Sequence, residues 1–221
     1  MKIIEPYFEI LHMAEEEEVY RLLELAARTC YKSEDKIAQG TARELLRRLM
    51  KTGHESVIEH ISISVRIVCD RGITHELVRH RLCSFSQEST RYANYGKEKF
   101  GREITVIRPF FWGEGSPEFE VWKASMAVAE RTYLDLLDMG ARPQEARSVL
   151  PNSLKTDIIT TANIREWRHI FNLRCSKSSH PQIRQIMLPL LNAFYQRLPV
   201  LFEAQYEKYR TDIDTFVKRQ S

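Results

Sequence analysis

Residues 61–67, with the sequence Ile-Ser-Ile-Ser-Val-Arg-Ile, alternate apolar and polar side chains. Successive side chains of a β-strand point to opposite faces of a sheet, so a period of two predicts a strand with one apolar face and one polar face. Such a strand suits an antiparallel sheet that helices cover on one side. This strand therefore indicates the fold class, and the other predicted elements lie on both sides of it in the chain.

Helical patterns lie on both sides of this strand in the chain. Four glutamates at positions 15–18 open a helix, because acidic side chains favour a first turn, and apolar residues then recur at helical spacing as far as Cys30. Ser116 and Pro117 supply an N-cap and a first-turn proline for a helix that runs to Gly140. A further helix is predicted over 41–51, with Leu45, Leu46, Leu49 and Met50 facing inward and Gly53 ending it. A short helix over 73–82, a loop over 83–101 and strands over 103–108 and 157–162 follow. A capping box at 163–166 opens another helix, and the C-terminal region is predicted to be helical, with kinks or breaks at Pro189 and Pro199.

Interspersed helices and strands around one sheet predict an α+β (mixed α/β) fold with a central, largely antiparallel, twisted sheet flanked by helices. The chain has 221 residues, 43% of them hydrophobic and 29% charged, so it can bury a core, and we expect one domain over residues 1–221. No apolar run approaches the roughly 20 residues of a membrane-spanning helix. The first residues also lack the apolar stretch of a secretory signal, so the expected location is the cytoplasm.

Charge, cysteine and glycine usage exclude several classes of site. Lysine and arginine (33) nearly balance aspartate and glutamate (30), and a net charge of +3 does not indicate a general binder of polyanions. The four cysteines lack zinc-ribbon or redox spacing, which favours reduced thiols. No glycine-rich dinucleotide or P-loop motif is present. Any phosphate group must therefore be held by side chains and ordinary helix termini.

The segment 79–92, Arg-His-Arg-Leu-Cys-Ser-Phe-Ser-Gln-Glu-Ser-Thr-Arg-Tyr, concentrates cationic and hydroxyl side chains. Cations at the end of a helix can simply complement its dipole, but this does not account for the polar loop that follows. On a helix, Arg79 and Arg81 point in different directions, which favours two anionic groups or two ligands over one. The loop adds hydroxyls, backbone N–H groups and a guanidinium, which together suit a phosphate group.

This segment resembles the signature of the flavin-dependent thymidylate synthases, in which Arg-His-Arg is followed after seven residues by serine. Arg79, His80, Arg81 and Ser89 fill its fixed positions. Residues 53–60, Gly-His-Glu-Ser-Val-Ile-Glu-His, are similar to an upstream element of the family. A third similar region comprises residues 146–151, Asn163 with Arg165, and residues 172–174.

The resemblance implies a reaction and an assembly. Enzymes of this family methylate deoxyuridine monophosphate (dUMP) to thymidine monophosphate (dTMP), with 5,10-methylenetetrahydrofolate as the carbon donor. FAD, reduced by NADPH, carries the reducing equivalents. The resemblance also implies a homotetramer whose active sites are shared between subunits, and a fold without a Rossmann domain. No nucleic-acid or membrane partner is expected.

The resemblance also assigns roles to individual residues. His54 would line the flavin or folate pocket, and Arg174 would stabilise charge on the uracil ring as the catalytic residue. Whether Gln87 or Glu88 contacts the flavin or the nucleotide stays open, because some relatives carry glutamate where this chain has Gln87. The flavin-binding positions are Ser56, Arg79, His80, Arg81, Gln87, Asn163, Arg165 and His169. The nucleotide-binding positions are Glu76, Arg79, Gln87, Glu88, Ser89, Thr90, Arg91, Arg147 and Arg174.

Other interpretations of these residues are less favoured. Cys83 could be a nucleophile, but its position is not fixed in the family, which favours a packing role. Ser89 has no neighbouring general base in the sequence, which favours a phosphate or uracil contact. A zinc motif that starts at His54 would need histidine at position 58, where the chain has Ile58, so no metal is predicted. A nucleic-acid-binding module built on the arginines and aromatics of residues 79–95 would leave the other two similar regions without a role.

Overall fold

The computed structural model describes residues 1–217, so the last four positions of the predicted domain lie outside the described residues. The strands are β1 (Lys2–Ile4), β2 (Tyr7–His12), β3 (Ser62–Asp70), β4 (Ser84–Gln87), β5 (Thr105–Ile107) and β6 (Lys155–Asn163). The helices are α1 (Glu16–Thr29), α2 (Thr41–Lys51), α3 (Arg71–Leu77), α4 (Pro117–Asp138), α5 (Pro143–Ala146), α6 (Ile164–Arg174), α7 (Pro181–Arg197) and α8 (Pro199–Val217). Short 3₁₀ turns occupy Glu34–Lys36, Glu55–His60, Glu98–Phe100 and Arg147–Val149.

The strand predicted from residues 61–67 is β3, and its apolar side chains at 63, 65 and 67 are fully buried. The sheet order is β2-β3-β6-β4. Strands β3 and β6 are antiparallel, since the Ile164 N–H donates to the Ile61 carbonyl at 3.0 Å and the hydroxyls of Ser64 and Thr161 lie 2.8 Å apart. The α+β class with an antiparallel sheet flanked by helices is thus confirmed. A separate pair, β1 and β5, is parallel, which was not predicted.

Several helix boundaries match the sequence patterns. Helix α2 has the predicted bounds, and Leu46 and Leu49 form its buried face. Helix α4 begins after Ser116, whose hydroxyl accepts a hydrogen bond from the Phe119 N–H at 3.3 Å. Helix α6 begins after Asn163, whose side chain accepts from the Glu166 N–H at 2.9 Å. The first backbone N–H groups of a helix have no partner within the helix, and only a few residue types supply a side chain that accepts from them. The sequence therefore predicts where such helices begin.

Two local predictions around the Arg-His-Arg segment are wrong. Helix α3 ends at Leu77 rather than at Leu82, so Arg79 and Arg81 lie in turns and the argument from helix faces does not apply. Leu82 is 77% exposed, and no buried apolar face extends the helix past Leu77. The predicted loop over 83–101 contains β4, and directly after this strand the Glu88 N–H donates to the Asp157 carbonyl at 2.8 Å. Sheet pairing therefore imposes an extended backbone that the polar sequence of β4 does not signal.

The described chain divides into two compact units, each drawn from three segments. The first unit comprises Met1–Tyr7, Arg66–Arg79 and Phe85–Ile159, and its core includes Phe119, Trp122 and Tyr133. The second unit comprises Phe8–Val65, His80–Ser84 and the chain from Thr160 onward, with Trp167, Phe171, Phe194 and Phe202 in edge-to-face and tilted ring contacts. The expectation of one domain stays a prediction.

No helix in the part of the chain that the structure describes is long and apolar enough to cross a membrane. The cytoplasmic location stays a prediction.

Candidate functional site

His80 is the centre of a buried polar cluster in the second unit. Its side chain is 4% exposed, and its Nε2 atom accepts a hydrogen bond from Arg174 Nε at 3.0 Å. Its Nδ1 atom lies 3.4 Å from a carboxylate oxygen of Glu166. The His169 ring packs edge-on against it, with 5.6 Å between centroids. His80 thus contacts side chains from both ends of α6.

These contacts decide the protonation state of His80. Burial, together with the nearby charges of Arg174 and His169, lowers the pKa of His80 to about 4, so the ring is neutral at pH 7. A guanidinium can only donate, so Nε2 is the bare nitrogen and the proton resides on Nδ1, towards Glu166. Burial also raises the pKa of Glu166, although His169 opposes this shift.

An open cleft of about 530 Å³ lies beside this cluster. Arg165 projects from α6 into the cleft and forms an ion pair with Glu59 at 2.5 Å. Arg168, one turn later, is buried; it pairs with Glu55 at 2.9 Å and also donates to the Leu201 carbonyl. The cleft is lined by Glu55, Glu59, Leu82, Asn163, Arg165, Glu166, Arg168, His169 and Asn172. Three predicted flavin residues, at positions 163, 165 and 169, therefore lie together.

The predicted nucleotide loop belongs to the first unit and follows β4. Glu88 is held by two donors: the Tyr95 hydroxyl at 2.9 Å and Lys155 Nζ at 3.1 Å. Gln87 donates its amide to the hydroxyls of Thr74 at 3.0 Å and Thr156 at 3.3 Å. The Gln87 and Glu88 side chains are thus both engaged in contacts that hold the loop on its unit.

The other residues predicted to bind the flavin or the nucleotide range from buried to exposed. Thr90 is buried, and its hydroxyl accepts from the Arg147 guanidinium at 3.3 Å, which joins two predicted nucleotide positions. The Ser89 hydroxyl accepts from the Arg91 N–H at 3.3 Å. Glu76 and Ser89 are half-buried, and the side chains at the other positions are exposed: His54, Ser56, Arg79, Arg81 and Arg91.

Sequence reasoning did not assign several residues of these sites. The sequence pattern indicates Glu166 only as a capping residue, although its side chain faces His80. Buried Arg168 and half-buried Glu55 form an ion pair whose members are 113 positions apart in sequence. Lys155 lies in β6 and carried no motif signal. Only tertiary contacts identify these residues.

A metal ion is a possible occupant of one group of side chains. His80, Glu166 and His169 each offer a ligand atom, and the three atoms lie within 4.8 Å of one another. The Arg174 guanidinium, bonded to the same His80 ring, opposes a cation there. The isoleucine side chain at position 58 has no ligand atom, so it cannot complete a metal motif that starts at His54.

The chain is similar to proteins of known family. A family model described as "Thymidylate synthase complementing protein" matches residues 11–200. A flavin-dependent thymidylate synthase of Geobacter sulfurreducens is 34% identical over 185 residues, which cover 80% of this chain and 78% of the relative. One from a Mycobacterium species is 35% identical over 211 residues, which cover 85% of this chain and 80% of the relative. A solved UMP/dUMP methylase, PolB from Streptomyces cacaoi bound with 5-Br dUMP, is similar with a TM-score of 0.75 at 25% identity, covering 95% of this chain and 98% of that chain.

The matched family region spans most of the chain and contains the Arg-His-Arg segment, the cleft residues of α6 and the loop after β4. The resemblance found in the sequence motifs is therefore confirmed at the level of the family. The chain belongs to the flavin-dependent thymidylate synthase family.

Proposed function

We propose that the protein methylates dUMP to dTMP, with 5,10-methylenetetrahydrofolate as carbon donor and with FAD, reduced by NADPH, as reductant. Membership in the family makes the chain an enzyme of the thymidylate synthase class. The single observation that carries the specific proposal is the His80 cluster, in which the Arg-His-Arg segment is joined directly to Arg174. Two separate motifs of the family thus meet at one hydrogen bond.

The residues of the His80 cleft fit a flavin dinucleotide. The cleft volume lies in the range of small-molecule sites, and its surface offers the Asn163 amide, the Arg165 guanidinium and the His169 imidazole. Arg165 can exchange its exposed partner Glu59 for a phosphate of the ligand, a contact that suits a guanidinium fork. When bound, FAD supplies the reducing equivalents for converting the transferred carbon into a methyl group.

Two groups of residues are assigned to the nucleotide. The Ser89 and Thr90 hydroxyls with Arg91 and Arg147 suit the phosphate dianion, which strong donors bind best. We assign Arg174 to the uracil ring, where a guanidinium near O2 and N3 stabilises developing negative charge. The bromo-dUMP bound by the similar methylase PolB supports a pyrimidine nucleotide as substrate. We further propose a homotetramer with shared active sites, in which the loop and Arg174 need not belong to the same chain.

The proposed function is tested by the colour and the redox behaviour of the purified protein. We expect a flavin absorption spectrum that bleaches when NADPH is added without oxygen. Addition of dUMP and 5,10-methylenetetrahydrofolate to the reduced enzyme should yield dTMP and restore the oxidised spectrum. A colourless protein that fails to bind added FAD, or a flavoprotein that forms no dTMP, would contradict the proposal.

Replacement of Cys83 by alanine should leave thymidylate formation intact. Burial, with a contribution from Glu166, raises the pKa of Cys83 to about 12, so the thiol is protonated at neutral pH and is a poor nucleophile. The measurement is dTMP formation per bound flavin in the variant and the parent. Complete loss of activity in a folded, flavin-loaded variant, or a covalent adduct of Cys83 with a 5-fluoro nucleotide, would assign it a catalytic role.

A further inference from the structure

Glu166 is a buried carboxylate that neither the motif assignments nor the proposed chemistry uses. It lies in the first turn of α6, where its backbone N–H is bonded to the Asn163 side chain. Its side chain is 8% exposed, and one of its oxygens lies 3.4 Å from His80 Nδ1. Burying a carboxylate is costly unless charges or donors compensate it. A carboxylate kept at this position therefore needs a structural or functional reason.

The geometry supplies that reason through the His80 ring. The carboxylate beside Nδ1 favours the tautomer with its proton on Nδ1. In that tautomer Nε2 is bare and accepts from Arg174 Nε at 3.0 Å. The opposite tautomer would place an N–H at Nε2 against the N–H of Arg174, so two donors would face each other.

The hydrogen bond to His80 in turn orients Arg174. Arg174 is the last residue of α6, and the guanidinium is planar, so a bond at Nε fixes the direction of the whole fork. The 3.4 Å separation between Glu166 and His80 is longer than an ordinary N–H···O hydrogen bond, so Glu166 acts largely through its charge.

We propose that Glu166 is a positioning residue that, through His80, sets the orientation of the Arg174 guanidinium. The inference rests on the proposed function, in which Arg174 contacts the uracil ring. Glu166 lines the cleft assigned to the flavin, but it is not among the groups assigned to bind the ligand there, which are the Asn163 amide, the Arg165 guanidinium and the His169 imidazole. Its loss should therefore reduce the chemical step while flavin binding and flavin reduction by NADPH persist.

The test uses Glu166→Leu, which removes the carboxylate, and Glu166→Gln, which keeps the shape and a carbonyl oxygen but removes the charge. In the flavin-loaded enzyme, kcat for dTMP formation should fall about ten- to a hundredfold for the leucine variant, because small misplacements of a reacting group are costly. The glutamine variant should retain more activity. Flavin content and the rate of NADPH oxidation should match the parent in both.

A second readout does not depend on activity. Nitrogen NMR of the ¹⁵N-histidine-labelled holoenzyme reports which nitrogen of His80 carries the proton, and the His80 signal is assigned by its loss in His80→Gln. We expect a bare Nε2 in the parent and a population with protonated Nε2 in Glu166→Leu. Glu59→Gln, which removes another carboxylate of the cleft, is the matched control and should leave the tautomer unchanged.

The two readouts separate the inference from the proposed function. A parent enzyme that forms no dTMP would end the proposed function, while the NMR signal would still report on the influence of Glu166 on His80. An unchanged tautomer together with a kcat within about twofold of the parent in both Glu166 variants would overturn the inference. If the leucine variant does not fold, the same criteria apply to the glutamine variant.

Discussion

Replacement of Arg174 by lysine should lower the rate of dTMP formation by roughly two to three powers of ten, a loss comparable to that of one oxyanion donor. Lysine keeps the charge but lacks the planar fork, and it has no Nε–H in the position that donates to His80 Nε2. The variant therefore loses both the two-pronged contact that we propose to uracil and the bond to His80 that orients the guanidinium. The rate is measured in single turnovers of the reduced enzyme with saturating dUMP.

NADPH oxidation and flavin content provide the internal control for Arg174→Lys. Reduction of the flavin does not require an activated uracil, so both should remain near the parent values. The dUMP affinity should fall together with the rate. Thymidylate formation close to normal would remove Arg174 from the catalytic assignment and leave Arg147 or Arg91 as the activating residue.

Replacement of Arg168 by methionine should destabilise the protein by about 3 kcal/mol, the lower end of the cost of removing one partner of a buried ion pair, because Glu55 is only half-buried. The Arg168 side chain is 7% exposed, pairs with Glu55 and also donates to the Leu201 carbonyl, so its loss removes a donor from both groups. In a chain of this size, that change corresponds to a melting temperature about 6–12 °C lower. Chemical denaturation followed by circular dichroism measures the free energy of unfolding.

Arg165→Met is the matched control, because Arg165 lies three residues earlier on the same helix and lines the same cleft. Its side chain is 53% exposed, and its ion pairs, with exposed Glu59 and at 3.8 Å with Glu55, are screened by solvent, so the free energy of unfolding should stay near the parent value. Flavin affinity should fall instead. If Arg168→Met unfolds like the parent, or if Arg165→Met retains its flavin at parental affinity, the division between a structural and a binding arginine is wrong.

The sequence predicted those parts of the fold that depend on local patterns. The period of two in β3 and the capping residues Ser116 and Asn163 each correspond to the observed element, because alternation and capping are properties of a short stretch of chain. The end of α3 was misplaced, because whether Leu82 is buried depends on what covers it, and it is exposed. Strand β4 was missed because its polar sequence becomes extended only by pairing with β6.

The sequence likewise predicted only those features of the site that depend on local motifs. Motif positions indicated Asn163, Arg165 and His169, and the structure brings them to one cleft. The partners that give these residues their charge state were not predictable, because Glu166 and Arg174 reach His80 from a helix more than 80 positions further along the chain. The opposed directions inferred for Arg79 and Arg81 rested on a helix that does not extend to them.

The two compact units are interleaved along the chain, so the gene cannot be divided between them at a single point. The chain contributes three segments to each unit and changes from one to the other five times, once between Arg79 and His80. No uninterrupted stretch of coding sequence encodes either unit, so neither can be expressed as a simple fragment. Exchange of one unit between relatives by recombination would require five junctions, one of them inside the signature motif. End-to-end fusion of two independent genes therefore does not account for this order of segments. Chimaeras of two relatives are better built by exchanging individual side chains than by exchanging segments.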